Sequence, residues 1–209
     1  EEQKTVQGKA GQSLILTPAK ASPYRRIVLL GYGDAAKLDK SGCETCGGKL
    51  LLALSAAGAK HIHLHIDNDS GHDGISTPEI AAHIAMGLIL RSYKFDKYKS
   101  GNNEDDQKET DRPEQCTVMT EEADHAAALY KTLHCAAEGV FLARDLVNEP
   151  PNILYPESFA QKIRDELKPL GVEIEILDEK KMHKFGFHAQ LAVGMGSARP
   201  PCVVIMHWK

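Results

Sequence analysis

Two adjacent prolines, Pro150 and Pro151, constrain the fold of this 209-residue chain more than any other feature. They follow an Ala-rich stretch of good helix formers, which predicts a long helix over residues 121–147. Neither proline can donate a backbone hydrogen bond, so the helix must end before them. The composition changes at the same point, and we therefore expect a domain boundary at residues 150–152.

Strand-like and helix-like segments alternate on both sides of this boundary. Before it, the pattern predicts strands over residues 11–16, 26–30 (buried) and 61–66, helices over 41–58 and 77–93, and an exposed loop over 102–114. Ser41 and Thr77 are the expected N-terminal caps. After it, the pattern predicts helices over 156–170 and 179–185 and strands over 172–177, 191–193 and 202–206. Such alternation is typical of the α/β class.

The composition excludes several kinds of protein. The net charge of −4 argues against general affinity for nucleic acid or anionic membranes. The longest apolar run, residues 50–59, is too short to span a bilayer, and the first five residues contain no apolar signal-peptide core. The five cysteines form an odd number, which favours reduced thiols in a cytosolic protein.

Cys43 and Cys46 have the CxxC spacing of a metal knuckle or a redox pair. No second ligand pair stands within reach in the sequence, and no strand directly precedes the motif, as it would in a thioredoxin-like site. The pattern favours two incidental cysteines near the start of a helix.

His61, His63 and His65 alternate along a predicted strand, so their side chains lie on one face. Three imidazoles on one face could bind zinc or copper. They could equally form the wet face of a half-buried strand, and this second interpretation is favoured because the sequence shows no supporting second shell.

Three further segments offer weaker functional hypotheses. Residues 194–197, GMGS, lack the Lys-Ser/Thr of a phosphate-binding loop and predict a tight turn between two strands. The acidic run Glu104, Asp105 and Asp106 lies in a polar loop and predicts a solvated surface. Residues 93–99 interleave aromatic and charged side chains, which could stack nucleic-acid bases but more simply anchor the end of a helix.

Four segments resemble those of one known family, in order and in spacing. They are GKAGQS at residues 8–13, YKFDKYK at 93–99, EGVFLARDLVNEPPN at 138–152 and LAVGMGSARPP at 191–201. Together they resemble the leucyl aminopeptidases, the cytosol aminopeptidase family of metallopeptidases, over essentially the whole chain. The third segment is similar to the family's interdomain segment, and the fourth to the first strands of its catalytic domain.

The resemblance implies a macro-domain-like, three-layer α/β N-terminal domain, a linker helix and the first strands of a second α/β peptidase domain. On this pattern residues 1–120 form the N-terminal domain without its first strands. Residues 121–149 form the linker helix, and residues 150–209 form the start of a catalytic domain that is cut short.

The resemblance also implies an activity for the whole enzyme. Such enzymes are cytoplasmic homo-hexamers that release N-terminal amino acids, leucine-type residues among them, from peptides. They use two divalent metal ions, Mn or Zn, to activate a bridging water.

The family's metal ligands follow the SARPP segment and lie beyond Lys209. The resemblance therefore assigns no catalytic, metal-binding or substrate-binding residue and no cofactor to these residues, and the 209-residue chain alone is expected to be inactive. We expect it to serve architecture, oligomer assembly and access. The alternative is a regulatory or nucleic-acid- or nucleotide-binding module.

Overall fold

The computed structural model describes residues 7–66, 74–99 and 113–209. The chain divides into two compact units, residues 1–142 (unit 1) and 143–209 (unit 2), which are described separately. Helices and strands alternate in both, which confirms the α/β class. The domain boundaries given above remain a prediction. No helix within the described ranges is long and apolar enough to cross a membrane.

Unit 1 pairs its strands in two small sheets. In chain order its described elements are β1 (Ser13–Leu16), β2 (Ile27–Leu30), a 3₁₀ turn (Ala35–Lys37), α1 (Lys40–Ala56), β3 (His61–His65), α2 (Thr77–Ser92), β4 (Gln115–Met119) and α3 (Ala123–Asn148), which ends in unit 2. β1 pairs with β2 antiparallel, and β3 pairs with β4 parallel. The long helix predicted before the two prolines is confirmed as α3.

Strand β2 is less buried than the sequence predicts. Ile27 is 39% exposed and Leu29 is 46% exposed, so the expectation of a buried strand is wrong. The alternate residues, Val28 and Leu30, pack against the buried cluster that includes the leucines of α1. A small sheet that packs on the core with one face leaves its other face to solvent. This explains why exposed and partly buried residues alternate along β2.

Helices α1 and α2 cross at two glycines. A Cβ atom on Gly47 would lie 2.2 Å from the carbonyl oxygen of Ile84, and one on Gly87 would lie 2.0 Å from that of Glu44. Only glycine permits two backbones to approach this closely. Two buried clusters lie at this crossing: Leu50, Leu51, Leu54, Ile62 and Leu88, and Cys43, Ile75 and Ile80.

The N-terminal caps of both helices differ from those predicted. Asp39 caps α1, because its Oδ1 accepts a hydrogen bond from a first-turn N–H at 2.7 Å, and Ser41 lies inside the helix. Ser76 precedes α2, and its N–H and hydroxyl donate to the Glu79 carboxylate at 3.1 and 2.9 Å. Both cap residues have extended backbones, whereas Thr77 is already helical. The cap is the acceptor-bearing residue just outside the helix.

Strand β3 is half-buried, as predicted. Ile62 is 7% exposed and belongs to the core, whereas the flanking histidines face solvent. Its partner β4 was not predicted from the sequence. The two strands pair in parallel from His61 opposite Gln115 to His65 opposite Met119, with α2 between them in the chain. A helical crossover of this kind is what a parallel pair requires.

Unit 2 packs short helices on an antiparallel strand pair. After the end of α3 its elements are α4 (Pro156–Leu167), a 3₁₀ turn (Lys168–Leu170), β5 (Glu173–Leu177), α5 (Glu179–Phe185), α6 (His188–Gly194) and β6 (Val203–His207), which pairs with β5. Gly171 has a φ of 88° and ends the first helical segment, as predicted. Asp178 caps α5 as predicted, accepting from the Lys181 N–H at 2.8 Å.

The strand predicted at residues 191–193 is wrong, because these residues lie in helix α6. Leu191 is buried in the core of unit 2 with Leu177 and Met182. Val193 on the same short helix is 89% exposed. A run of three apolar residues has no periodicity that distinguishes strand from helix, and here the packing of one leucine decides the outcome.

Candidate functional site

The CxxC pair lies in the core of unit 1, on the first turns of α1. Cys43 is fully buried and Cys46 is 3% exposed. Burial, followed by the charges of neighbouring acidic groups, raises the pKa of the Cys43 thiol to about 11. Burial also raises the pKa of Cys46. A thiol must ionise to act as a nucleophile or a metal ligand, so this environment opposes both and favours packing.

His61, His63 and His65 lie on the exposed face of β3. The His63 ring meets the Tyr24 ring edge-on, with centroids 6.0 Å apart. Across the strand pair the same face continues with Gln115, Thr117 and Met119 of β4. The structure therefore places the three imidazoles together on one surface.

The aromatic side chains of residues 93–99 pack within unit 1. Tyr93 ends α2, and its ring centroid lies 5.3 Å from that of Phe141 on α3. The rings of Phe95 and Tyr98 are 5.8 Å apart, and the Lys97 ammonium lies 5.4 Å from the Tyr98 ring. The Tyr93–Phe141 contact ties the end of α2 to α3, which agrees with the simpler interpretation of this segment.

Sequence reasoning missed a partly buried polar pair between α1 and α2. His83 is 9% exposed, and its Nδ1 lies 2.8 Å from Oε1 of Glu44. A histidine within the apolar sequence of α2 was the one sign of a polar side chain that needs a partner. Because Glu44 is also the residue that Gly87 contacts, the pair holds the two helices together at their crossing and satisfies a side chain that would otherwise be buried without a partner.

Residues 194–197 do not form a turn between two strands, because Gly194 is the last residue of helix α6 and residues 195–197 follow that helix directly. The Ser197 hydroxyl accepts a hydrogen bond from the Arg199 N–H at 3.0 Å and so closes a local turn. A cleft of about 590 Å³ lies beside this segment in unit 2 and is lined in part by Glu179, His183 and His188. The two imidazole rings are 6.3 Å apart, measured between centroids.

The segment after this turn is held against the start of α4. The Arg199 guanidinium lies 3.9 Å from the centroid of the Tyr155 ring. The Cys202 thiol donates to the carbonyl oxygen of Pro156 at 3.2 Å. Burial raises the pKa of that thiol, which keeps it in its donating, protonated form. These contacts give the segment a structural role in unit 2.

Within the described ranges, no group of three or more His, Cys, Asp or Glu side chains is placed to hold a metal ion. The residues that the structure describes therefore do not fit the two-metal centre implied by the resemblance, and we derive no chemical step through it. The acidic run Glu104, Asp105 and Asp106 lies outside the described residues.

Comparison with known proteins identifies relatives of both units. Residues 1–102 match the family model of the N-terminal domain of the cytosol aminopeptidase family, and residues 141–209 match that of its catalytic domain. The chain is 41% identical to a probable cytosol aminopeptidase of Sinorhizobium fredii over 202 residues, which are 97% of this chain and 39% of the relative. A probable cytosol aminopeptidase of Sinorhizobium medicae is also 41% identical, with the same shares covered. The chain thus spans about two fifths of the length of these relatives.

Two solved structures have a similar fold. The bottromycin maturation enzyme BotP in complex with Mn superposes with a TM-score of 0.77 at 25% identity, over 97% of this chain and 40% of that one. A tomato leucine aminopeptidase mutant superposes with a TM-score of 0.74 at 23% identity, over 95% of this chain and 38% of that one.

Proposed function

Because this chain belongs to the cytosol aminopeptidase family, we propose that it is part of a metal-dependent aminopeptidase that releases N-terminal amino acids, leucine-type residues among them, from peptides. One observation carries the proposal: the family's two domain models match consecutive parts of this chain in order. In this proposal the 209 residues contribute architecture, assembly and control of access, and the chemistry belongs to residues outside them.

We assign residues 1–120 to the N-terminal domain, 121–149 to the linker helix and 150–209 to the start of the catalytic domain. The continuous helix α3, Ala123–Asn148, supports the second assignment. Large exposed apolar side chains in unit 2 support the third: Val193, Met195 and Trp208 are 89%, 84% and 87% exposed. Surfaces of this kind mark contacts with other protein segments, and we expect the remainder of a catalytic domain to cover them.

The proposed enzyme uses two divalent metal ions, either Mn or Zn. The similar fold of BotP in complex with Mn supports the use of a divalent metal. We place the metal ligands beyond Lys209, because the family's ligands follow the SARPP segment. Peptide substrates, a cytoplasmic location and a homo-hexameric assembly belong to the same proposal and are supported by family membership.

The first test separates the chain from the whole enzyme. The purified 209-residue chain, incubated with Mn²⁺ or Zn²⁺, is expected not to hydrolyse leucine p-nitroanilide, whereas the full-length Sinorhizobium fredii relative serves as the positive control. If hydrolysis of leucine p-nitroanilide co-purifies with the isolated chain, the catalytic residues cannot all lie outside these 209 residues.

A chimera tests the contribution of the chain to an aminopeptidase. The matching 39% of the Sinorhizobium fredii relative is replaced by these residues and joined to the rest of that protein. We expect a folded protein that hydrolyses leucine p-nitroanilide when Mn²⁺ or Zn²⁺ is supplied. A chimera that folds and assembles but shows no turnover would count against the proposal.

A further inference from the structure

We propose that the exposed face of β3 binds a late first-row divalent cation, such as Ni²⁺ or Zn²⁺, through a chelate of two adjacent histidines. His63 supplies one imidazole, and either His61 or His65 supplies the other. All three side chains are exposed on the same face of the strand. The inference concerns unit 1 alone and does not rest on the proposed function.

The backbone that carries these histidines is held in place. Ile62, between two of them, is 7% exposed and packs in the core cluster with the leucines of α1. On its other side, β3 pairs residue by residue with β4 from His61 to His65. The imidazoles therefore project from a half-buried, hydrogen-bonded strand, which lowers the entropic cost of bringing two of them to one ion.

The strand spacing suits two ligands and excludes a third. Same-face neighbours on a strand are about 6.6 Å apart, at about 3.3 Å per residue. Two imidazoles at this spacing can turn toward one ion at nitrogen–metal distances of about 2.0–2.1 Å. His61 and His65 are about 13 Å apart by the same measure, too far to share an ion. His63 therefore belongs to every possible chelate, and water completes the coordination.

The surroundings leave the imidazoles available. Among the residues that the structure describes, these side chains make one ring contact, that of His63 with Tyr24, and neither a hydrogen bond nor an ion pair. The residues directly across on β4, Gln115, Thr117 and Met119, carry no charge that would repel a cation. Imidazole suits Zn²⁺, Ni²⁺ and Cu²⁺, whereas Mg²⁺ and Ca²⁺ favour oxygen ligands, and this sets the class of ion.

Calorimetric titration of the 209-residue chain with Ni²⁺ alone at pH 7.5 tests the site. The variant H63A removes the shared ligand and is expected to weaken Ni²⁺ binding at least about tenfold. Loss of a residue that only supports a metal ligand already lowers metal affinity by about that factor. H61A and H65A each retain one adjacent pair and should lose much less. The double variant H61A/H65A retains no adjacent pair and should match H63A.

The matched control is H125A, which removes an exposed histidine of α3 and is expected to bind Ni²⁺ as the original chain does. Circular dichroism checks that each variant is folded, and the H61A/H65A variant replaces H63A if the latter is not. The proposal is overturned if the original chain does not bind Ni²⁺, if H63A and the double variant bind with unchanged affinity, or if H125A loses as much affinity as H63A.

Discussion

In unit 1 two long helices cross at a pair of glycines and bury side chains on either side, whereas unit 2 packs two short helices on a two-stranded sheet. The buried cluster of unit 2 consists of Leu177, Met182 and Leu191. The same unit leaves Val193, Met195 and Trp208 almost fully exposed. Unit 1 thus combines two buried clusters with a close approach of two backbones, whereas unit 2 has one small buried cluster.

The largest effect is expected from Met182, which is 1% exposed at the centre of the unit 2 core. M182A should cost about 2–5 kcal/mol, because it removes buried methylene groups and leaves a cavity. M195A, at a side chain 84% exposed, should change stability by less than about 0.5 kcal/mol. Hydrogen exchange of the β5 and β6 amides measures unit 2 by itself. Equal effects of the two substitutions would show that this cluster is not the core of unit 2.

The glycine crossing is tested by two neighbouring residues of α1. G47A places a Cβ atom against the Ile84 carbonyl oxygen, and the resulting overpacking should cost about 1–3 kcal/mol. At Gly48 the nearest atom to an added Cβ is the Cβ of Arg91, at 3.8 Å, which is an ordinary contact. G48A should therefore stabilise the helix by about 0.5–1 kcal/mol. Urea unfolding measures both, and destabilisation by G48A equal to that of G47A would refute close approach as the cause.

Glu79 gives unit 1 a smaller, pH-dependent contribution. Hydrogen bonds from the backbone and side chain of Ser76, and then Lys40 at 3.2 Å, lower the pKa of Glu79 from its ordinary 4.5 to about 2. A carboxyl with a depressed pKa in the folded state stabilises the fold above its unfolded pKa, and this contribution is lost as the pH falls from about 4.5 to about 2.

E79Q should therefore reduce stability at pH 7 by about 0.3–1.5 kcal/mol, the range for a single cap feature. It should also flatten the loss of stability between pH 7 and pH 3 that the original chain shows in urea unfolding. E114Q, which alters an exposed carboxylate away from the cap, is the control. If E79Q and the original chain lose the same stability between pH 7 and pH 3, Glu79 is not the source of that loss.

Several elements were predictable because their signals are local. Pro150, Gly171 and Asp178 each act through their own backbone or side chain, and the helix limits that they predict are confirmed. Strand β4 was missed because it is defined by pairing with β3, more than fifty positions earlier in the chain. Residues 191–193 were misassigned because three apolar residues have no periodicity that distinguishes strand from helix, and the packing of Leu191 with Leu177 and Met182 is not visible in the local sequence.

The residues of the candidate site likewise include some that the sequence predicts and some that it does not. The spacing of the three histidines and their common face followed from strand periodicity. The Glu44–His83 pair depends on which helices meet and at what position, and nothing local in either sequence segment specifies that. Family membership was predictable from four short segments, because these resemble the family in order and spacing over the length of the chain.

The glycine crossing also limits how this sequence can evolve. At Gly47 and Gly87 an added methyl group would meet a backbone carbonyl oxygen, which every amino acid carries. A second mutation can shrink an opposing side chain, but it cannot remove a carbonyl. Neither position therefore has a compensating side chain. Because a Cβ on Gly47 would also lie 3.0 Å from the Cα of Gly87, the two sites share one contact, and the losses of G47A and G87A should sum to more than the loss in the double variant. A single contact between two helices therefore keeps glycine at two sites that are forty positions apart in the chain.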